Sequence, residues 1–200
     1  SWKKAFFLYT VHQKTPVSPI GYIWATKMTT IDYYNSNASA YAHSTMSADM
    51  TDAYLRFLPL LPANCRILDL GSGSGRDAAA FSLRGYSVTA LEPSSCLCDE
   101  IRSVFHGEVI CSSIQSDRPS SVFDGIWANA SLLHLCKEDF LSFFRDIDDY
   151  LAVGGFLYLS GKYGIPEGYD ENGRFFLPFS EQLLQEALAV QTNLSCRELW

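Results

Sequence analysis

Apolar and polar positions fall into two rhythms along this chain, and the switch between them is the first guide to the fold. From Met46 to Leu60, apolar residues recur at Met50, Ala53, Tyr54, Phe57 and Leu58. That is a helical spacing, and Pro59 and Pro62 close it. Beyond it, short β-branched or apolar runs alternate with helical stretches. The pattern predicts strands near 66–70, 86–91, 108–112, 123–128 and 155–161, and helices near 75–84, 94–104, 138–151 and 180–190. The helix over 138–151 turns Phe140, Phe144, Ile147 and Leu151 inward and Asp146, Asp148 and Asp149 to solvent, and Gly154-Gly155 stops it. Ser180 reads as the N-cap of the last helix, with Leu183, Leu184, Ala187 and Leu188 facing the core. Asn193 to Trp200 reads as a sixth strand. Strand alternating with helix implies an α/β fold, a parallel sheet with helices on both faces and right-handed crossovers.

Composition narrows the class. Two hundred residues, 48% hydrophobic and 14% aromatic, suit one domain with a core of its own. A formal net charge of -7 disfavours a nucleic-acid backbone as partner. No apolar run approaches the roughly 20 residues of a membrane span, so neither nucleic acid nor membrane is expected. Cys65, Cys96, Cys98, Cys111, Cys136 and Cys196 form no C-x-x-C pair, and the C-x-C at Cys96 lacks companions for zinc. No metal is expected, and the thiols read as reduced, in the cytoplasm. Residues 1–27 differ from the rest. They hold Lys3, Lys4, Lys14 and Lys27 and no acid, mix Phe6, Phe7, Leu8 and Tyr9 with Pro16 and Pro19, and show no period. They read as an appendage outside the fold, with a membrane-surface arm as the alternative, and the domain as residues 28–200.

The run Arg66-Ile-Leu-Asp-Leu-Gly-Ser-Gly-Ser-Gly75 carries the chemistry. It reads as a strand, an acid (Asp69) near the strand's carboxyl end, and a glycine turn opening a helix. Gly71, Gly73 and Gly75 permit a tight turn and close approach of a ligand. Such a turn lies where open α/β sheets bind nucleotides. A dinucleotide fingerprint requires G-x-G-x-x-G. Here the third position is Arg76, and an acid precedes the first glycine. A pyrophosphate is poorly served by that acid, whereas a cofactor bearing an ammonium and a sulfonium benefits from it. The next strand, Tyr86-Ser-Val-Thr-Ala-Leu-Glu92, ends in a second acid about 20 residues after the first glycine, the distance at which such folds bind a ribose. A carboxylate accepts hydrogen bonds from both ribose hydroxyls.

The acid–glycine run resembles motif I of the class I S-adenosylmethionine-dependent methyltransferases. The combination Gly75-Arg-Asp77, Arg84-Gly-Tyr86, Asp124-Gly-Ile-Trp127, Ser131-Leu-Leu-His134, Lys162-Tyr-Gly164 and Gly173-Arg-Phe-Phe176 resembles the small bacterial methyltransferases of the tellurite-resistance type. So does the opening Asp32-Tyr-Tyr-Asn-Ser-Asn-Ala38, which matches their lid-like N-terminus. The resemblance implies a Rossmann-like sheet, here apparently without its C-terminal seventh strand, so that the domain reads as truncated. It implies S-adenosyl-L-methionine as cofactor, held by Asp69, Gly71, Gly73, Gly75 and Glu92, with Ser113 and Ile114 at the adenine and Asn129 and Ala130 beside the methyl group. His134 is then a candidate base. Lys162, Tyr163 and Arg174, on the loop after the fifth strand, are candidates to hold a small-molecule acceptor, an anion among them. Tyr33, Tyr34 and Tyr41 are placed to close over the cofactor.

Methyl transfer from a sulfonium is an in-line displacement, so the protein mainly supplies orientation and a dry site. The expected activity is methyl transfer to a small molecule. The alternatives are a non-catalytic module that binds the same cofactor, and an NAD-dependent oxidoreductase, which Arg76 disfavours.

Overall fold

Apolar alternation builds a single parallel sheet. The computed structural model describes residues 29–116, 119–191 and 193–199, together with the backbone of residues 4–5. In chain order the strands are β1 (Lys4–Ala5), β2 (Arg66–Leu70), β3 (Ser87–Leu91), β4 (Glu108–Ile110), β5 (Phe123–Ala128), β6 (Leu151–Leu159), β7 (Gly168–Tyr169) and β8 (Phe175–Phe176). The helices are α1 (Thr30–Met46), α2 (Thr51–Phe57), α3 (Arg76–Ser82), α4 (Ser95–Val104), α5 (Lys137–Arg145) and α6 (Glu181–Val190). The large sheet has the order β1-β6-β5-β2-β3-β4 with every pairing parallel, and β7 and β8 form a small antiparallel hairpin. The chain moves outward from β2 to β4, then returns to β5 on the other side of β2. The order therefore reverses between β2 and β5, and their carboxyl ends flank the crevice where such sheets bind ligands.

Alternation assigns the two faces. Leu68, Leu70, Ile126, Ala128, Leu157 and Leu159 pack against Phe140 and Phe144 of α5 and Leu183 and Ala187 of α6. Ile67, Val88, Ala90, Trp127, Phe156 and Tyr158 pack against Phe57 of α2, Phe81 of α3 and Ile101 of α4. Trp127 stacks on Tyr158 with ring centroids 3.6 Å apart. Burial of each Leu, Ile, Val or Phe among them contributes about 1.5–3 kcal/mol. Asp69 shares the parity of Ile67, so strand geometry turns it to the α2–α4 side.

Several expectations are corrected. The helix read over 138–151 ends at Arg145, a single 3-10 turn spans Ile147–Asp149, and Leu151 already belongs to β6. Asp146, Asp148 and Asp149 oppose the dipole at the helix C-terminus, and the inward positions Ile147 and Leu151 are buried equally well by the turn and the strand. Gly154 and Gly155 accordingly lie within β6, Gly154 at φ 80°, alongside a register shift opposite Phe123 and Gly125. The helix read from Met46 to Leu60 starts only at Thr51. The 17-residue helix α1 carries no apolar stripe to betray it, since only Ala38 and Ala42 are buried. Its start is written in a capping box: Thr29 Oγ1 accepts from the Asp32 amide, and Asp32 accepts from the Thr29 amide. No strand forms among the described residues of 193–199. The reading of residues 1–27 as an appendage concerns residues outside the described ones, apart from the backbone of Lys4–Ala5.

Candidate active site

The glycine turn leaves β2 with Gly71, Gly73 and Gly75 all at positive φ, 72°, 58° and 77°. The amides of Gly71 and Ser72 donate to the Leu91 carbonyl at 2.8 and 3.2 Å, tying the turn to the end of β3. There Glu92 is buried, and its carboxylate accepts from the Gly73 amide and the Ser94 amide, each at 2.9 Å. Burial pushes the Glu92 carboxyl up, and these amides pull it back. The two acidic motifs of the sequence thus meet in one place.

Above this floor lies a cavity of about 400 Å³ at the carboxyl ends of β2 and β5. Gly71, Gly73, Glu92, Ser113, Ile114, Asn129, Ala130 and His134 line it. Asp69, Gly75, Lys162, Tyr163 and Arg174 do not. Asp69 is buried beneath the turn, accepting from Ser72 Oγ at 2.6 Å. Gly75 lets α3 start against α4, where an added Cβ would come within 3.1 Å of Ile101 and Val104. Lys162 lays its ammonium over the Phe176 ring at 4.2 Å. Arg174 makes a two-pronged pair with Asp170 (Nε 2.9 Å, Nη2 2.7 Å) and lies 4.6 Å over the Tyr33 ring. Tyr163 is 52% exposed.

A buried polar network braces the β5 side. Asp77 accepts from Trp127 Nε1 at 2.8 Å, Asn129 Nδ2 at 3.2 Å, Arg76 at 2.7 and 2.9 Å, and the Tyr54 hydroxyl. Burial alone would raise the Asp77 carboxyl, but Arg76, Tyr54 and Trp127 hold it below the usual range. Asp69, by contrast, is raised by its own burial and by the Asp77 charge. Of these two acids Asp77 bears the charge. Asn129 Oδ1 accepts from Ser160 Oγ, which in turn accepts from the Ala130 amide at 2.8 Å. Ala130 is held at φ 52°. A non-glycine residue there costs on the order of 1–3 kcal/mol, strain of the sort that gathers at functional sites.

Helix α1 roofs the cavity. Thr29, Thr30, Ile31, Tyr34 and Tyr41 line it; only the two tyrosines were among the sequence candidates. Tyr34 and Tyr41 lie two helical turns apart and so share a face. Tyr33 points to Arg174 instead. Asn35 Oδ1 accepts from Ser94 Oγ at 2.7 Å, and the Phe175 amide donates to Thr30 Oγ1 at 2.9 Å, so the roof is pinned at both sides. The Tyr34 hydroxyl meets His134 Nε2 at 2.9 Å, and His134 Nδ1 meets the Phe175 carbonyl at 2.7 Å. Burial, with Arg174 and Lys162 nearby, lowers His134 to about 4 against the pull of that carbonyl. Ser131, in the turn that the sequence places after the β5 strand, lines the cavity with a buried Oγ that has no partner. Among the described residues, no helix is long and apolar enough to cross a membrane, and no group of three or more His, Cys, Asp or Glu is placed to hold a metal.

Residues 68–159 match the family described as a methyltransferase domain. The chain is 28% identical over 159 residues, 72% of its length, to the Alpha N-terminal protein methyltransferase 1 of Drosophila melanogaster, and spans 57% of that protein. The solved 1,6-didemethyltoxoflavin-N1-methyltransferase of Burkholderia thailandensis is similar with a TM-score of 0.60 and 20% identity, over 86% of this chain and 82% of that one. A TehB-like S-adenosylmethionine-dependent methyltransferase from Corynebacterium glutamicum gives 0.60 and 18%, over 78% and 82%. The fold is the Rossmann-like fold of the class I methyltransferases.

Proposed function

We propose that the protein transfers a methyl group from S-adenosylmethionine to a small-molecule acceptor. The observation that carries this reading is the junction of Glu92 with the Gly73 amide on the floor of the cavity. Each Glu92 oxygen accepts one backbone amide and keeps a lone pair, so the carboxylate can still accept from a pair of ribose hydroxyls. Gly71 and Gly73 leave the floor without Cβ atoms, and the orphaned Ser131 Oγ offers a polar contact that no protein group satisfies. These features fit a ribose with an amino-acid tail. Ser113 and Ile114 would border the adenine, and Asn129 and Ala130 the tail. The charged side chains lining the cavity are Glu92 and Asp139, both acidic, and no lysine or arginine lines it among the described residues. That charge suits a cationic cofactor and repels a pyrophosphate, which counts against NAD.

S-adenosylmethionine, when bound, supplies a methyl group activated on a sulfonium. The chain's own part is to orient the acceptor beneath α1 and to keep water out. Arg174 and Lys162, engaged with Asp170 and Phe176, act on the acceptor end through their field rather than by contact. The fruit-fly relative is named for protein amino termini, and an amino-terminal acceptor is the second reading it favours. The roof formed by Tyr34, Tyr41 and Thr30 favours a small acceptor instead. The six cysteines, outside any disulfide, fit a cytoplasmic setting. Incubation with donor radiolabelled on its methyl group, against a panel of small acceptors and an amino-terminal peptide, tests the assignment. Label is expected in a small acceptor. Label only in the peptide supports the second reading, and binding of S-adenosylhomocysteine without any turnover supports a non-catalytic module.

A further inference from the structure

We propose that Tyr34 and His134 form a proton relay for a neutral acceptor bearing an O–H or an aromatic ring N–H, an inference that rests on the methyltransferase reading above and names its substrate class. The geometry fixes the direction of every proton in the chain. The Phe175 carbonyl can only accept, so the 2.7 Å contact makes His134 Nδ1 the donor. In the neutral imidazole Nε2 is then bare, and the 2.9 Å contact makes it accept from the Tyr34 hydroxyl. Tyr34 spends its one proton on the histidine. Tyr34 lines the cavity, and its oxygen, with that proton spent, can only accept. A group docking on it must bring its own proton.

That arrangement can carry the proton away. As the bond from the methyl carbon to the acceptor heteroatom forms and the carbon–sulfur bond breaks, the acceptor's proton passes to Tyr34 Oη and the tyrosine's proton to His134 Nε2. The positive charge lost at sulfur reappears on the imidazolium, and the methylated acceptor leaves neutral. Burial and Tyr41 hold the Tyr34 phenol above its ordinary range, so it returns to its protonated form after the relay. The charged groups around the pair are Arg174, Lys162 and Asp170 on the histidine side and Arg174, which also reaches the phenol oxygen, and Glu92 on the tyrosine side. Burial, with the two cations adding to it, disfavours a resting imidazolium and brings His134 to about 4. So weak a base cannot take a proton from an alkylammonium, whose pKa is about 10 by analogy with lysine. It can take one from an oxygen or ring nitrogen that becomes strongly acidic as it is methylated, which is where proton transfer helps most.

The test has two arms on the full chain. Nitrogen-15 NMR of histidine-labelled protein should show His134 as the Nδ1–H tautomer at pH 7, with its Nε2 signal shifting in Tyr34→Phe. An Nε2–H tautomer, or a protonated ring near pH 7, would overturn the relay whatever the activity. Methyl transfer is then measured to phenol, benzimidazole, thiophenol and benzylamine. Tyr34→Phe and His134→Gln should each lower turnover on phenol and benzimidazole by roughly 10²–10⁴-fold. The loss should be far smaller on thiophenol, already anionic at pH 8, and S-adenosylhomocysteine should bind as in the parent. Glutamine can still accept the tyrosine's hydrogen bond but cannot take its proton, so loss in that variant marks transfer rather than packing. Equal losses on all probes, benzylamine as the sole accepted probe, or no accepted probe in a protein that binds S-adenosylhomocysteine would each overturn the proposal. Failure to bind S-adenosylhomocysteine would overturn the underlying methyltransferase reading instead, and the NMR arm would still decide the proton chain.

Discussion

The Gly73 amide donates to Glu92 Oε2 across 2.9 Å, joining two motifs nineteen positions apart. The bond fixes the carboxylate against the glycine turn, and the Ser94 amide fixes its other oxygen. Glu92→Ala should therefore loosen the turn and remove the proposed ribose acceptor together. Lost hydrogen bonds to a charged group are worth about 1.5–3 kcal/mol, so S-adenosylhomocysteine should bind roughly ten- to hundred-fold more weakly by calorimetry. Unchanged affinity in a folded variant would place the ribose elsewhere.

Gly71 offers a test by crowding. Its φ of 72° suits few other residues, and an added Cβ would sit 2.3 Å from Ser131 Cβ. Gly71→Ala should lower stability by about 1–3 kcal/mol through overpacking, read from urea denaturation, and should weaken cofactor binding as Ser131 is displaced.

The glycine turn and Glu92 were legible because backbone conformation and strand spacing fix them. Asp69 was misplaced although its position could be read: it shares the parity of Ile67, and alternation turns it under the turn and out of the cavity. Arg174 and Lys162 were not legible in the same way. Their loop does lie at the right rim, but Asp170 and the rings of Tyr33 and Phe176 engage them first, and such partnerships depend on side-chain choices that spacing does not encode. Helix α1 was hidden because a roof helix needs little apolar face; the position of Ser131 was legible in its motif, but its orphaned hydroxyl shows only in three dimensions.

Asp69 gives a pH signature. Its folded pKa is raised by burial and by Asp77, so the folded state holds a proton that the unfolded chain releases. Stability is then lost as pH climbs from the ordinary carboxylate range toward the folded pKa. Asp69→Asn removes this term while mimicking the protonated acid. Its melting temperature relative to the parent should rise between pH 5 and pH 9, and a constant difference would mean that Asp69 is ionised.

His134 acts in the opposite sense. Its folded value of about 4 lies below its ordinary 6.5. Between these values the unfolded chain binds the proton that the folded state refuses. Stability should rise with pH across that window, by at most about 1.4 kcal/mol per pH unit, and be full above it. In His134→Gln that slope should flatten, as measured by urea denaturation at pH 4.5 and 6.5.

Asn35 pins the roof to Ser94 and, at 3.3 Å, to the Cys96 amide. Asn35→Ala should speed hydrogen exchange in α1 and raise the dissociation rate of S-adenosylhomocysteine. The melting temperature should move little, since a neutral hydrogen bond contributes about 0.5–1.5 kcal/mol. Exchange unchanged from the parent would show that α1 is held by its other contacts.

Calorimetric titration of the full chain with S-adenosylhomocysteine, set beside the same titration with NAD, tests the assignment most directly. The expected result is saturable one-to-one binding of S-adenosylhomocysteine, weakened by Glu92→Ala, and no binding of NAD. A folded protein that binds NAD, or neither ligand, would contradict it.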